Sequence, residues 1–357
     1  MARRMMLLLF TAAVVIVGIA VATGPATADT YLDQAPVGTG FGPIPIRDAR
    51  PYNLIFLQFM PETGDVLRGG QERWGIQLDL INNLLIPPNK NSVTVVEDNE
   101  YQRILGSWHR GIGHGSEIAV YLPVEWRDGG FMDPILQAYE HLIGLPASAE
   151  DDPLGRPHWP KYRSILEVID PAGNVVLHYG NGFGVGETNV TFKQAILPAT
   201  SHSALAARLG LKIPTGNPTV MLGSGSVDEG IMLDGRYSIR PDMIFYGNLG
   251  AVFMGPARRI PGAQREMMQS FAGFEYLLSH RSSIVAQIDW TTTDVVIGNY
   301  FADRINVTCT FGYQREIAHH LVMNAGFSEN GDIFNYTMPY VTNVGPDFTV
   351  STGLQWR

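Results

Sequence analysis

Only one cysteine, Cys309, is present among 357 residues. An internal disulfide and a thiolate-rich metal centre are therefore excluded, and stability has to come from other interactions. Basic residues are also short: 25 Lys and Arg stand against 34 Asp and Glu, a net charge of −9. A chain without clustered cations neutralises phosphates poorly, so nucleic acid is not an expected partner. Beyond residue 23 no apolar run approaches the roughly 20 residues a membrane helix needs. A helical transmembrane bundle is excluded. A closed β-barrel is not, because closure also satisfies every backbone polar group in a bilayer.

The first 28 residues read as a secretory signal peptide. Arg3 and Arg4 precede the apolar stretch 5–22, and Ala26-Thr27-Ala28 offers a small-residue cleavage site before Asp29. The other reading is an uncleaved anchor helix. Cleavage would remove both arginines and take the net charge from −9 to −11 (−9 − 2). The stretch 29–50, rich in Gly and Pro, is expected to be either a disordered leader or a plug folded into a lumen.

The dominant pattern in the rest is period two. In "RINVTCTFGY" the set Ile305, Val307, Cys309, Phe311 and Tyr313 alternates with Arg304, Asn306, Thr308, Thr310 and Gly312. Successive side chains of a strand point to opposite faces, so this segment has one apolar and one polar side. "WGIQLDL", "LAARLGLKI", "SIVAQIDW" and "HLVMNAGFS" repeat the alternation, as does "IMLDGRYSI", where Met232 is an exception on the polar side. Strand starts are expected near residues 52, 73, 93, 115, 186, 203, 228, 242, 267, 283, 304 and 319, with a further strand at 347–356. Single-chain bacterial barrels use even strand numbers, which favours twelve, with fourteen as the alternative. The expected barrel covers 51–357. One long excursion, 127–185, interrupts it. In it "DPILQAYEHLIG" predicts a short helix, with Asp133 as N-cap and Gly144 as stop, and "SILEVIDPAGNVVLHYG" predicts a hairpin. The helix reads either as a lid or plug at the barrel mouth or as an amphipathic helix at the membrane interface.

Alternation alone fits a soluble sandwich as well as a membrane barrel. Three features favour the all-β, antiparallel transmembrane barrel: export, charges of both signs on the polar faces, and a C-terminal strand, "DFTVSTGLQWR". Lys193, Arg208, Lys212, Asp234, Arg236, Glu275, Asp289 and Arg304 are expected to face a lumen. Ile305, Val307, Cys309, Phe311, Leu321, Met323, Phe327 and Trp356 are expected to face lipid.

The run Lys212-Ile213-Pro214-Thr215-Gly216, followed by Gly223-Ser224-Gly225-Ser226 and Asp228, resembles an uncharacterised domain-of-unknown-function family of Gram-negative outer-membrane β-barrels. "EDNEYQRILGSWHRGIG", "GGFMDPILQAYEHLIGLP" and "GFGVGETNVTFKQAIL" fit the same pattern, with Glu187 standing where an Asp is expected. A more distant likeness is to the barrels grouped with meta-pathway phenol degradation and hydrocarbon uptake. The resemblance covers roughly residues 40 to 357. It implies residence in the bacterial outer membrane, outer-membrane lipid and the barrel-assembly machinery as partners, and passive uptake or binding of a small hydrophobic solute. A sealed structural or docking barrel is the second reading.

Enzymatic chemistry finds little support. A lipid-facing esterase would need His202 and Ser203 on one face, and adjacent strand residues point apart. His109, His114, His319 and His320 lack the spacing of metal ligands. "GSGS" is not followed by the Gly-Lys-Ser/Thr of a phosphate loop. No catalytic, cofactor-binding or metal-ligating residue is expected.

Overall fold

The computed structural model describes residues 40–85, 94–135, 138, 161–170, 172–260, 262–292, 305–330 and 348–357. Among these, fifteen strands join one sheet. They are β1 (Glu72–Leu85), β2 (Thr94–Gly113), β3 (Ser116–Asp128), β4 (Ile165–Ile169), β5 (Val175–Tyr179), β6 (Gly182–Val185), β7 (Thr188–Leu197), β8 (Ser203–Ile213), β9 (Asp228–Arg240), β10 (Met243–Phe253), β11 (Glu266–Ser279), β12 (Ser282–Thr292), β13 (Ile305–Ala318), β14 (Leu321–Asn330) and β15 (Phe348–Trp356).

Twelve of these close into an antiparallel barrel. The wall runs β1-β2-β3-β7-β8-β9-β10-β11-β12-β13-β14-β15 and returns to β1 through pairs from Trp74↔Trp356 to Asn82↔Phe348. Closure leaves no sheet edge around the ring, the condition for a β-structure in hydrocarbon. The other three strands belong to the 129–187 excursion. β4 pairs with the upper end of β2, β5 with β4, and β6 with β3. The β4–β5 hairpin is the one expected, turned at Asp170, whose carboxylate accepts the N–H groups of Ala172 and Asn174. The expected 133–144 helix starts at Asp133, and most of it lies outside the described residues, as do residues 1–39.

Turn lengths polarise the barrel. Connections 114–115, 198–202, 241–242, 280–281 and 319–320 lie at one end; β3, β8, β10 and β12 finish at the other, and the next barrel strand begins there only after twelve or more residues. Short turns on one side and long loops on the other are the usual periplasmic and extracellular faces of such barrels.

Burial is inverted relative to a soluble protein. In β8 the side chains of Arg208 and Lys212 are 0% exposed while Leu209 is 53% exposed. In β9 Asp234 is 0% exposed and Ile231 46%. Apolar sides turn outward and charged sides inward, so the two-sheet sandwich, which buries its apolar faces, is ruled out. On the outer surface Trp108, Trp74 and Trp356 lie in register across β2, β1 and β15 at the short-turn end. Aromatics at that level form the girdle typical of a membrane interface.

The strand expected at residue 52 is absent, and the wall begins at Glu72 rather than 51. Residues 51–54 instead form a single helical turn, α1 (Pro51–Leu54), with Pro51 in its first turn, where the missing N–H costs nothing. "YNLIFLQFM" is apolar on both sides rather than alternating. Tyr52, Ile55, Phe56, Leu57, Phe59 and Met60 are all buried, inside the barrel rather than in its wall.

Candidate functional site: a peptide-filled lumen

Residues 41–67 pass through the barrel twice. They start at the short-turn end, where the Arg357 guanidinium meets the Phe41 carbonyl and the Glu275 carboxylate accepts the N–H groups of Phe41 and Gly42. Going up, Ile44 exchanges two hydrogen bonds with the Gln287 side chain, its N–H at 2.6 Å and its carbonyl at 3.1 Å. Arg47 lies 3.6 Å from Asp289, and Asn306 bonds Asp48 near the top of β13. α1 turns the chain over at the long-loop end. On the way down the Leu57 N–H donates to Asp228 at 2.9 Å, and Gln269 bridges the Phe59 N–H and the Leu57 carbonyl. Arg208 donates to the Met60 carbonyl at 3.0 Å. Arg236 holds Asp65 at 2.7 Å, and Glu117 accepts the Leu67 N–H at 2.9 Å. The wall side chains thus supply the partners that the segment's irregular backbone needs once it is out of water.

Glycine makes the room. Gly210 and Gly230 are cross-strand partners, and a Cβ on either would come 2.6 Å from the Phe59 ring. Gly312 and Gly326 are partners on the opposite wall, and Cβ atoms there would strike the side chains of Ile44 and Ile46. Phe59, and the Ile44 and Ile46 pair, therefore each lie over a groove two glycines wide. Met232, the exception on a polar face, is 0% exposed within the apolar cluster that includes Phe56, Leu57 and Phe59.

The densest electrostatic contact surrounds Glu62. Its carboxylate takes Lys193 at 2.5 Å and Arg208 at 3.2 Å, and the Tyr121 hydroxyl donates to it. Arg208 also pairs with Asp234 at 2.9 Å. Glu62, His109 and Glu117 have ligand atoms close enough together to suggest a cation. The chemistry opposes a metal: Arg73 lies 2.8 Å from His109 Nδ1, and Lys193 and Arg208 already neutralise Glu62. Three cations around the group would repel a fourth. The cluster reads as a charge-balanced fastening of segment to wall.

At the long-loop end a second knot involves the Pro-Thr-Gly and Gly-Ser-Gly elements. The Lys212 ammonium meets Ser224 Oγ at 2.5 Å, the Ile55 carbonyl at 2.8 Å, Asp228 at 2.9 Å and Glu187 at 3.4 Å. Glu187 also accepts the N–H groups of Gly216 and Ser224. Burial pushes the Glu187 carboxyl above its ordinary value, against the pull of Lys212 and those two N–H groups.

Of the eight residues expected to line the lumen, Lys193, Arg208, Lys212, Asp234, Arg236, Glu275 and Asp289 are all at most 3% exposed, and each touches the lumenal segment or a residue that holds it. Arg304 lies outside the described residues. On the outer face Phe311 and Trp356 are exposed, and Ile305, Cys309, Leu321, Met323 and Phe327 are half-buried. Val307 shares their parity but is buried, opposite Trp290. His202 lies in a turn, and the Ser203 hydroxyl meets Thr200; no nucleophile–base pair forms between them among the described residues. His319 and His320 form the β13–β14 turn, with His320 at φ 62°.

Sequence reasoning missed Glu62, Asp65, Asn248, Gln269 and Gln287. In "PETGD" Pro, Gly and Asp favour a turn, which hides the fastening role of Glu62 and Asp65. The available signal was the non-alternating run just before it, which marks a segment buried on all sides.

A family model described as "Protein of unknown function (DUF3187)" matches residues 30–357. No curated protein matches the chain. Among solved structures the chain is similar to the COG4313 outer membrane channel from Pseudomonas putida F1, at 11% identity over 84% of this chain and 99% of that one, with a TM-score of 0.50. It is also similar to the translocator domain of autotransporter NalP from Neisseria meningitidis, at 11% identity over 81% and 89%, TM-score 0.43. A further likeness is to the toluene transporter TbuX from Ralstonia pickettii, at 8% identity over 82% and 90%, TM-score 0.39. What the COG4313 channel shares with this chain is the fold, that of a bacterial outer-membrane barrel.

Proposed function

The chain belongs to the family described as "Protein of unknown function (DUF3187)", and from that footing we propose that it is an outer-membrane uptake barrel whose lumen is closed by its own N-terminal segment. The observation that carries this reading is the paired-glycine grooves at Gly210–Gly230 and Gly312–Gly326. A barrel that served only as a scaffold can fill itself with wall side chains. This wall leaves space that a separate, non-covalently held segment fills. With the segment displaced, Lys193, Arg208, Asp234, Gln269 and Gln287 would line a polar passage.

The solute class is a small hydrophobic molecule. Support comes from the long-loop mouth, where Phe56, Phe59, Tyr179, Met221, Met254 and Met267 form one apolar cluster. Methionine and aromatic side chains suit adaptable apolar contacts. The protein is exported with cleavage after Ala28, is assembled by the outer-membrane machinery, and presents its Phe311 and Trp356 face to lipid.

The test is influx of a fluorescent hydrophobic probe into Gram-negative cells whose lipopolysaccharide leaflet otherwise excludes it. Expression of the full chain should speed influx. Influx equal to that of cells with an empty vector would overturn the uptake reading. It would favour the second one, a sealed barrel that stabilises the membrane or docks a partner, for which the ion-paired fastening at Glu62 speaks.

A further inference from the structure

We infer that loop 214–227 and the lumenal segment form a single coupled closure, joined through Lys212. The purpose of the closure rests on the uptake reading above; its geometry does not. The loop leaves the barrel between β8 and β9 but does not project outward. Leu222, 1% exposed, packs in one cluster with Ala49 and Leu54 of the segment and with Ile81 and Tyr101 of β1 and β2, strands beyond β3 and β7 in the ring. Arg127 of β3 donates to the Val220 carbonyl at 2.9 Å, and Gly182 of β6 abuts that same carbonyl. The loop therefore crosses the mouth as a strap between the apex of the segment and the β1–β3 wall.

Strap and segment are both fastened to the same ammonium. Lys212 holds the strap through Ser224 Oγ and the segment through the Ile55 carbonyl, while Glu187 and Asp228 balance its charge. Asp228 adds a second tie between Lys212 and the segment, since one oxygen takes Lys212 and the Leu57 N–H. Glu187 touches the strap and Lys212. When the strap lifts, Ser224 and the Glu187-bound backbone leave together. Lys212 then loses Ser224, Glu187 loses the two N–H groups that hold it in place, and the hold of Lys212 on Ile55 is exchanged for water entering from the mouth. Release of the strap thereby loosens the apex of the segment. The two closures open as one step rather than in series.

The test reads the two elements separately and needs no solute. In a Cys309→Ala background, Gln58→Cys, buried against the Asp48 carbonyl of the segment itself, reports on the segment and Leu222→Cys on the strap, each through its rate of modification by a charged, membrane-impermeant thiol reagent. Glu187→Gln weakens the hold on the strap and one ion pair of Lys212, and no contact of Glu187 reaches the segment itself. Loss of one charge-assisted hydrogen bond should raise the open population about tenfold, so coupling requires both reporters to accelerate by about that factor. Acceleration at Leu222→Cys with Gln58→Cys unchanged would overturn the proposal, as would acceleration at neither. Ser224→Ala, a milder change at the same knot, gives the same paired readout if Glu187→Gln does not fold, which a lost heat-dependent gel shift would reveal. Probe influx measured alongside separates the two claims: joint acceleration without influx leaves the coupling standing and removes the uptake reading.

Discussion

Gly210 shows what single residues decide here. The atoms nearest a Cβ at this position all belong to the lumenal segment, Phe59 at 2.6 Å and Leu57 at 3.1 Å. Gly210→Val should therefore push the segment away while leaving the β7–β8–β9 pairing intact. The expected outcome is an unchanged heat-dependent gel shift together with new ion conductance in planar bilayers. Glu62 makes the opposite case. Glu62→Gln leaves Lys193 without its carboxylate in a buried site, a change that costs about 3 kcal/mol or more. Thermal unfolding in detergent should shift down, and Lys193→Met added to it should recover much of the loss because the orphaned charge is gone. Such roles were hidden in the sequence. Gly210, Gly230, Gly312 and Gly326 read only as small residues on polar faces, because what they accommodate lies more than a hundred residues away in the chain.

The strands were legible because a lipid-exposed wall imposes strict alternation. β8, β9 and β12 alternate buried and outward side chains along their length, and turn chemistry such as Asp170–Asn174 marked the β4–β5 hairpin. The failure at residue 52 has a physical cause. A segment enclosed by a barrel is buried on all sides, so it keeps no period, and Leu54-Ile55-Phe56-Leu57 passes for a strand core. Met232 looked anomalous for the same reason, since its partners are in that enclosed segment. The outer face of β13 provides a test at this scale. Phe311 lies mid-strand and exposed, whereas Thr310 is buried beside Ser328 at 3.1 Å. Phe311→Arg should destabilise the barrel folded in liposomes by about 2–4 kcal/mol, the cost of a cation at bilayer depth. Thr310→Ala, losing one neutral hydrogen bond, should cost about 1 kcal/mol. Equal effects in urea titrations would mean that the Phe311 face does not meet lipid.

At the scale of the whole molecule, two structures occupy one space. A twelve-stranded wall supplies a charged, glycine-grooved interior, and the chain's own residues 41–67 fill it from Glu275 at one end to Asp228 at the other. Lys212, Arg208 and Asp234 could be assigned to the interior from alternation alone. That they grip a peptide, rather than water, could not, because contacts such as Lys212 to Ile55 depend on a path that no local pattern encodes. The most direct measurement is single-channel recording of the full chain beside a version in which residues 41–67 are replaced by an equal length of Gly and Ser. The expected result is a nearly silent native protein and steady current through the replaced one. Open native channels, or silence from both, would contradict a lumen closed by its N-terminal segment.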